Sequence, residues 1–183
     1  MNTSDFPYEE ANVFDENGKF ARKGYCALWV FGIRQKQIQW LIDALSVEEG
    51  WSVMILSHNF ILPYQDQQES DFVRNGNYVW EILKAYRNGE KGSIQGGEGN
   101  FEINVEYDFT QNKSNDLLPM IFGHCHKDVV LTMDGITAIS STNLLTASNE
   151  VGGGWDYFII DKKDRTLKVF RYGEPSGGRY IKF

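Results

Sequence analysis

The chain has 183 residues, of which 42% are hydrophobic, 14% aromatic and 23% charged. This length suits one domain, predicted to span residues 1–183, and the hydrophobic content excludes a disordered chain. No stretch approaches 18 consecutive apolar residues, so we expect no membrane span and no membrane partner. The 18 Lys and Arg against 25 Asp and Glu give a net charge of −7. Such a surface repels phosphate backbones, so we expect nucleic acid to bind only as a substrate.

The two cysteines, Cys26 and Cys125, are far apart in sequence and do not make a disulfide framework. This usage fits a reducing compartment. The first seven residues contain no basic segment followed by an apolar run, so no secretory signal is predicted. We therefore expect a cytoplasmic protein.

The first half of the chain predicts two amphipathic helices. Between residues 35 and 45, apolar side chains recur at i, i+3, i+4 and i+7, and the same spacing recurs between residues 77 and 88. The apolar runs 25–31 and 51–56 have the length of strands, and the second is predicted to be a central strand buried on both faces. The glycine-rich stretches are predicted to be loops: 91–100, 151–154 and 174–178.

The second half predicts strands. Residues 101–109 alternate between apolar and polar, which is typical of a half-buried strand, and the apolar run 117–122 is predicted to be another. Asp134-Gly135 joins the runs 129–133 and 136–140 in a type I′ hairpin turn. A second hairpin is predicted from the runs 157–160 and 166–172. Two helices and about seven strands indicate an α/β (α+β) layer architecture with a mixed sheet and C-terminal hairpins.

All three histidines follow short apolar strands: His58, His124 and His126. In an extended segment, the spacing of the last two points both imidazoles to one side, about 6 to 7 Å apart. Two imidazoles so placed could serve one metal or one each of two metals. A lone histidine at a strand end is more often a surface or hydrogen-bonded residue, but the pattern Gly-His-x-His is a stronger signal for metal binding. Cys125, between the two, is predicted to be a buried thiol.

The order of several motifs resembles the second half of the calcineurin-like metallophosphoesterases. These motifs are Gln37-x-x-Trp40-Leu41, Ser57-His58-Asn59 and Gly123-His124-Cys125-His126-x-Asp128. The closing segments Tyr157-Phe158-Ile159-Ile160-Asp161 and Arg171-Tyr172-Gly173 resemble the C-terminal strands of bacterial and phage members. The resemblance covers essentially the whole chain.

The resemblance implies a divalent metal cofactor. Family members bind two metal ions, usually Mn, Fe or Zn, between two sheets flanked by helices, and a bridging hydroxide attacks a phosphoester. Carried over, His58 and His124 match ligands of the second metal, and His126 matches a ligand of the first. Asn59 stands where relatives often have a second histidine. Asp128 either orients His126 or has a turn or strand-edge role, so Asn59 and Asp128 are candidate contacts to a ligand or to substrate.

The family motifs that precede these are absent. The patterns Asp-x-His, Gly-Asp-x-x-Asp and Gly-Asn-His-Asp/Glu do not occur, so no residue is assigned as the general acid and no catalytic residue is named. We expect the chain to be the C-terminal portion of a truncated domain, a fragment or a naturally shortened form. Without the bridging carboxylate, metal binding should be weak or absent, and activity of this chain alone negligible.

Two functions follow. The first is a metal-dependent phosphoesterase that hydrolyses phosphomonoesters or phosphodiesters in its complete form. The alternative is a non-catalytic module, derived from that fold, that self-associates or binds a partner. Because half of a two-layer sandwich leaves an apolar face uncovered, we expect either a homodimer or the missing N-terminal half as its partner.

Overall fold

The computed structural model describes residues 1–3, 17, 31–63, 73–124, 128–141, 154–173 and 177–183. The chain forms two compact units. The first comprises Met1–Val53 and His58–Leu117, and the second comprises Met54–Ser57 and Leu118–Phe183. The boundaries 1–183 of a single domain stay a prediction.

The first unit contains both α-helices found in the described ranges, together with two pairs of strands. Strand β1 pairs in parallel with β2, and β3 pairs with β4 in an antiparallel hairpin. A short 3₁₀ turn, Gly99–Phe101, precedes β4. The elements in chain order are β1 (Phe31–Gly32), α1 (Gln35–Ala44), β2 (Val73–Arg74), α2 (Gly76–Asn88), β3 (Lys91–Gly96) and β4 (Ile103–Asp108).

Both predicted helices are confirmed. Helix α1 buries Ile38, Leu41 and Ile42, the positions that the periodicity assigned to its inner face. Helix α2 buries a longer apolar stripe and ends at Asn88. It is followed by Gly89, whose φ of 67° is the left-handed conformation typical of the residue after a helix.

The predicted loop 91–100 is wrong in its first half, because Lys91–Gly96 is strand β3. Its buried Ile94 pairs with Val105 of β4. A Cβ atom added at Gly92 would stand 2.7 Å from the Tyr107 hydroxyl oxygen. This glycine therefore gives an aromatic ring room to lie across the strand, and a high glycine content here does not indicate a loop.

The predicted central strand 51–56 is also wrong as a continuous element. It makes two isolated parallel bridges, Val53 with Leu117 in the first unit and Leu56 with Ile121 in the second. Ile55 is buried, but Trp51 and Leu56 are exposed. The chain passes from the first unit to the second between these two bridges. Of the run 25–31, only Phe31 lies within the described residues.

The second unit contains two three-stranded sheets. In the order β5-β7-β6, β5 is parallel to β7 and β6 is antiparallel to it, so this sheet is mixed. The other sheet is antiparallel, in the order β10-β9-β8. The strands are β5 (Met120–Phe122), β6 (Val130–Met133), β7 (Ile136–Ser140), β8 (Gly154–Asp161), β9 (Thr166–Gly173) and β10 (Gly177–Lys182).

The predicted hairpins and fold class are confirmed. Asp134 and Gly135 have φ angles of 51° and 72°, as a type I′ turn requires. The second hairpin is β8 and β9, and β10 extends it, so Gly177 and Gly178 belong to a strand and not to the predicted loop 174–178. The molecule is α+β with a mixed sheet and C-terminal hairpins.

The hydrophobic core of the second unit joins side chains from its two sheets. Ile139 of β7 packs with Leu167 and Val169 of β9, and four partly buried residues complete this cluster: Phe158, Ile160, Ile181 and Phe183. In the part of the chain that the structure describes, no helix has the length and apolar character needed to cross a lipid bilayer.

Asn75 connects three parts of the first unit, and this gives a stability prediction. It is buried, has a φ of 64°, and its Nδ2 donates to the carbonyl oxygens of Ile33 (2.8 Å) and Phe101 (2.9 Å). Asn75→Gly keeps the left-handed backbone accessible but leaves both buried carbonyls without this donor. We expect a loss of about 2 kcal/mol in the free energy of unfolding, measured by urea denaturation.

Asn75→Ala separates the two contributions. It removes the same hydrogen bonds and adds the cost of a left-handed backbone for a residue with a Cβ atom, so we expect a further loss of about 1 kcal/mol. A glycine variant as stable as the wild type would contradict the assigned role of the amide.

Candidate functional site

The predicted site follows a parallel pairing inside the second unit. The Ser57 amide donates to the Ile121 carbonyl oxygen (3.1 Å), and the Ile121 amide donates to the Ile55 carbonyl oxygen (3.0 Å). Residues 54–57 therefore run beside β5 in the same direction. His58 is the next residue after this segment, and His124 comes two residues after β5 ends. The carboxyl ends of neighbouring parallel strands are positions where α/β proteins commonly bind ligands.

His124 has an unusual backbone conformation. Its φ is 63°, in the left-handed region, and it is partly buried. For a residue with a Cβ atom this conformation costs about 1–2 kcal/mol, although histidine adopts it more often than most residues. The expected extended segment is therefore wrong at His124, because the chain turns there. Alternation along a strand does not apply across this residue, and the proximity of His124 to His126 stays a prediction.

The three-histidine site is not assembled by the described residues. His58 is exposed and belongs to the first unit, whereas His124 belongs to the second. His126 and Cys125 lie outside the described residues. Within the described ranges, no group of three or more His, Cys, Asp or Glu side chains could hold a metal ion. The metal-ligand roles of His58, His124 and His126 stay predictions.

Asp128 is held by an arginine. Both of its carboxylate oxygens accept hydrogen bonds from the Arg171 guanidinium, one of them 2.6 Å from Nη2. This two-point geometry is the strongest form of an Arg–carboxylate pair. Arg179 adds a longer ion pair, 3.5 Å from Asp128 Oδ1. The sequence predicts either contact of Asp128 with His126 or a turn or strand-edge role, and the structure adds Arg171 as its partner.

A second carboxylate completes this cluster, which we call the arginine cluster: Asp128, Asp156, Arg171 and Arg179. Asp156 of β8 has no exposed side-chain surface and faces Arg171 of β9 directly across the sheet. Arg171 Nε donates to Asp156 Oδ1 (2.7 Å), and Arg179 of β10 donates to Asp156 Oδ2 (2.9 Å). Two cations and two carboxylates make the arginine cluster formally neutral.

The arginine cluster shifts the titration of its members. Burial alone would raise the pKa of Asp156, but hydrogen bonds from Arg171 and Ser141, together with the charges of Arg171 and Arg179, outweigh burial and lower it. Hydrogen bonds to Asp128 and Asp156 raise the pKa of Arg171 above its ordinary value. The Ser141 hydroxyl donates to Asp156 (2.7 Å), so the residue that follows β7 is tied to the C-terminal sheet.

Sequence reasoning missed the arginine cluster. The signal was present, because Asp156 and Arg171 occupy the inward positions of strands whose outward positions are mostly aromatic. Charged residues at inward positions indicate a buried ion pair, since neither is stable in a core alone. Which two residues pair depends on the strand register, which the sequence does not provide.

Asn59 lies in the interior of the first unit. Its Oδ1 accepts a hydrogen bond from the Thr3 hydroxyl (3.0 Å), and its backbone amide donates to the same hydroxyl oxygen (3.3 Å). Both side chains are buried. These contacts give Asn59 a structural role at the chain start, and its expected contact with a ligand or substrate stays a prediction.

The donors in the described residues suit a metal only in part. Imidazoles favour borderline ions such as Zn²⁺, and carboxylates are needed for Mn²⁺ or Mg²⁺. The carboxylate nearest in sequence to the histidines belongs to Asp128, which Arg171 already neutralises. The described residues therefore do not complete a ligand set for any divalent metal.

The comparisons with known proteins leave the family open. No protein-family model matches the chain, and no curated protein matches it. Among solved structures, the chain is similar to a single mutant of Vps29 from Entamoeba histolytica, with 16% identity over 79% of this chain and 89% of that chain, and a TM-score of 0.28. Wild-type Vps29 complexed with Zn²⁺, from the same organism, gives 15% identity over 78% and 88%, and a TM-score of 0.27. Sequence identity and structural similarity this low do not show a shared family, so membership of the metallophosphoesterase family stays a prediction.

Proposed function

We propose that the chain is a metallophosphoesterase-type domain that, in its complete form, hydrolyses phosphomonoesters or phosphodiesters. The observation that supports this is the parallel pairing of residues 54–57 with β5, because a histidine follows each of the two paired segments. The proposed metal ligands are His58, His124 and His126. Asn59 and Asp128 are the proposed contacts to a ligand or to substrate. This chain alone is proposed to lack turnover.

The proposed cofactor is a divalent metal ion, Mn, Fe or Zn in the complete domain. When bound, such an ion activates water and neutralises charge on a phosphoester. This chain contributes imidazoles. Both oxygens of the Asp128 carboxylate are already bonded to Arg171, so this carboxylate is not available as a metal ligand. A site with few ligands and no bridging carboxylate favours Zn²⁺ and binds it weakly. No step of the reaction follows from the described residues.

Zinc titration of the full chain by calorimetry tests the metal positions. We expect weak binding of ZnCl₂ by the wild type and a loss of more than about tenfold in affinity for His124→Ala, because an imidazole ligand is removed. Lys91→Ala, an exposed change on β3 of the first unit, is the control and should leave the titration unchanged. Wild-type protein that takes up no zinc, or a His124→Ala variant that binds as tightly, would contradict the assignment.

A separate assay tests the proposed lack of turnover. With Mn²⁺ and a chromogenic phosphodiester, we expect no hydrolysis above the rate in buffer. Turnover that His124→Ala abolishes would show that the chain is a competent enzyme and would overturn this part of the proposal.

The second candidate is a non-catalytic module that self-associates or binds a partner. The observation that favours it is a set of exposed aromatic side chains on the sheet β10-β9-β8 of the second unit.

A further inference from the structure

One face of the sheet β10-β9-β8 is aromatic and exposed. The strand register places its side chains in rows: Trp155 beside Tyr172, then Tyr157, Phe170 and Gly178, then Ile159, Lys168 and Tyr180. We call this surface the aromatic face. Its six large apolar side chains are between 44% and 72% exposed: Trp155, Tyr157, Ile159, Phe170, Tyr172 and Tyr180.

The opposite face of the same sheet is already covered. It carries Leu167 and Val169 of the hydrophobic core and also the arginine cluster. Sheets with water on one side normally alternate between apolar and polar residues. Here both faces of β8 and β9 are largely apolar, a pattern typical of a sheet that is buried on both sides. The aromatic face therefore has the composition of an interface, where Tyr, Trp and Phe are enriched and acidic residues are depleted.

The exposed area suits a dimer. Aromatic side chains bury about 150–250 Å² each, so five of them, each roughly half exposed, present roughly 500 Å². Ile159 and the stem of Lys168 raise this to roughly 600 Å². A stable interface of ordinary size needs about 800 Å² from each partner, most of which this surface and its rim would supply.

The aromatic face is also complementary to itself. A two-fold axis along β9 would set β10 of one copy against β8 of the other, row by row. Gly178, which leaves a gap, would then face Tyr157, and Lys182 would face Asp161. On the axis itself, Lys168 would lie beside its own copy. This like-charge pair is tolerated only if the flexible Lys168 stems carry the two ammonium groups out to water at the end of the sheet. Each relation occurs twice in an interface of this symmetry. A small residue opposite a large one, and a cation opposite a carboxylate, are the features that make a surface fit a second copy of itself.

We infer that the aromatic face binds the same face of a second copy, forming a homodimer by sheet-on-sheet packing. Two such sheets pack about 10 Å apart with their strands nearly aligned. This inference does not depend on the metal positions, since none of the proposed ligands lies on the aromatic face. A chain that binds no zinc would leave it intact.

Sedimentation velocity of the full chain between about 1 and 100 μM tests the inference. We expect the wild type to dimerise in this range and Phe170→Glu, at the centre of the aromatic face, to raise the dissociation constant more than about thirtyfold. Trp51→Glu is the matched control, because Trp51 is an exposed aromatic residue of the first unit. It should dimerise like the wild type.

Several outcomes would overturn the inference. A wild type that is monomeric throughout would assign the aromatic face to a different protein or to another segment of the chain. A dimer that survives Phe170→Glu, or that Trp51→Glu disrupts equally, would place the interface elsewhere. If Phe170→Glu unfolds at a much lower temperature than the wild type, Tyr172→Glu replaces it as the test of dimerisation. Tyr172 is 72% exposed, so its substitution removes little buried surface from the fold.

A charge exchange tests the two-fold arrangement itself. Lys182→Glu alone should weaken the dimer severalfold, because two Lys–Asp contacts become repulsive. Adding Asp161→Lys should restore the affinity, since the exchanged charges again face each other. Because Asp161 Oδ1 also accepts a hydrogen bond from the Asp164 amide in the β8–β9 turn, the double variant is compared with Asp161→Lys alone. A double variant weaker than both single variants would reject an axis along β9.

Discussion

Replacing Arg171 with methionine is expected to lower the free energy of unfolding by about 3–5 kcal/mol, because it removes one partner from a buried ion-pair cluster. The Arg171 side chain is only 5% exposed and donates to both Asp128 and Asp156. Without it, the fully buried Asp156 carboxylate keeps the hydrogen bonds from Arg179 and from Ser141 but loses those from Arg171. A carboxylate inside a protein is costly unless its charge is compensated.

Chemical denaturation of purified variants measures this loss. Arg179→Met is the graded comparison, because Arg179 is more exposed and donates to Asp156 through one nitrogen only. It should cost clearly less than Arg171→Met. Lys91→Met, an exposed change on β3, should stay within about 0.5 kcal/mol of the wild type. A cost for Arg171→Met as small as that of Lys91→Met would show that the arginine cluster does not stabilise the fold.

The arginine cluster also sets the direction of the pH dependence. The pKa of Asp156 is lowered in the folded protein, and that of an unfolded Asp is about 3.9. In acid the unfolded chain therefore binds more protons, so stability rises with pH. The contribution of Asp156 is present above pH of about 3.9 and is lost as the pH falls through the lower folded value. Arg171→Met should flatten this acid dependence.

The sequence predicted the elements that depend on local patterns. The spacing of Ile38, Leu41 and Ile42 identified α1, and Asp134-Gly135 identified a hairpin, because each signal lies within one element. Strand β3 was missed for the opposite reason. Its glycines are typical of loops, and only Tyr107, from the neighbouring strand, shows why a strand accepts Gly92.

The candidate site was predictable in part. The three histidines and the strands that precede them are visible in the sequence, but the left-handed backbone of His124 is not, since it depends on how the chain leaves β5. The pairing of Asp128 with Arg171 joins residues 43 positions apart. Such a contact is set by the packing of two sheets, and no local pattern encodes it.

Gly76→Ala is expected to destabilise the protein by about 3 kcal/mol, although alanine is the better helix former. Gly76 is the first residue of α2 and is buried against the backbone of Ile61. A Cβ atom there would overlap the Ile61 carbonyl oxygen and stand 2.7 Å from its carbonyl carbon. Backbone atoms cannot rotate away as a side chain can. The neighbouring contact of Phe60 with Trp80, rings 5.8 Å apart, fixes this segment against α2.

Whether Gly76→Ala lowers or raises the free energy of unfolding shows whether close packing or helix propensity dominates at this position. If helix propensity dominated, Gly76→Ala would stabilise the protein by up to about 1 kcal/mol. Gly50→Ala is the matched control, because Gly50 has a φ of 82° but nothing within 4 Å of an added Cβ atom. It should cost only about 1 kcal/mol, the price of a left-handed backbone. Urea denaturation of both variants should therefore place Gly76→Ala well below Gly50→Ala. The reverse order would mean that the Ile61 backbone moves aside freely, and that close packing there does not hold α2 in place.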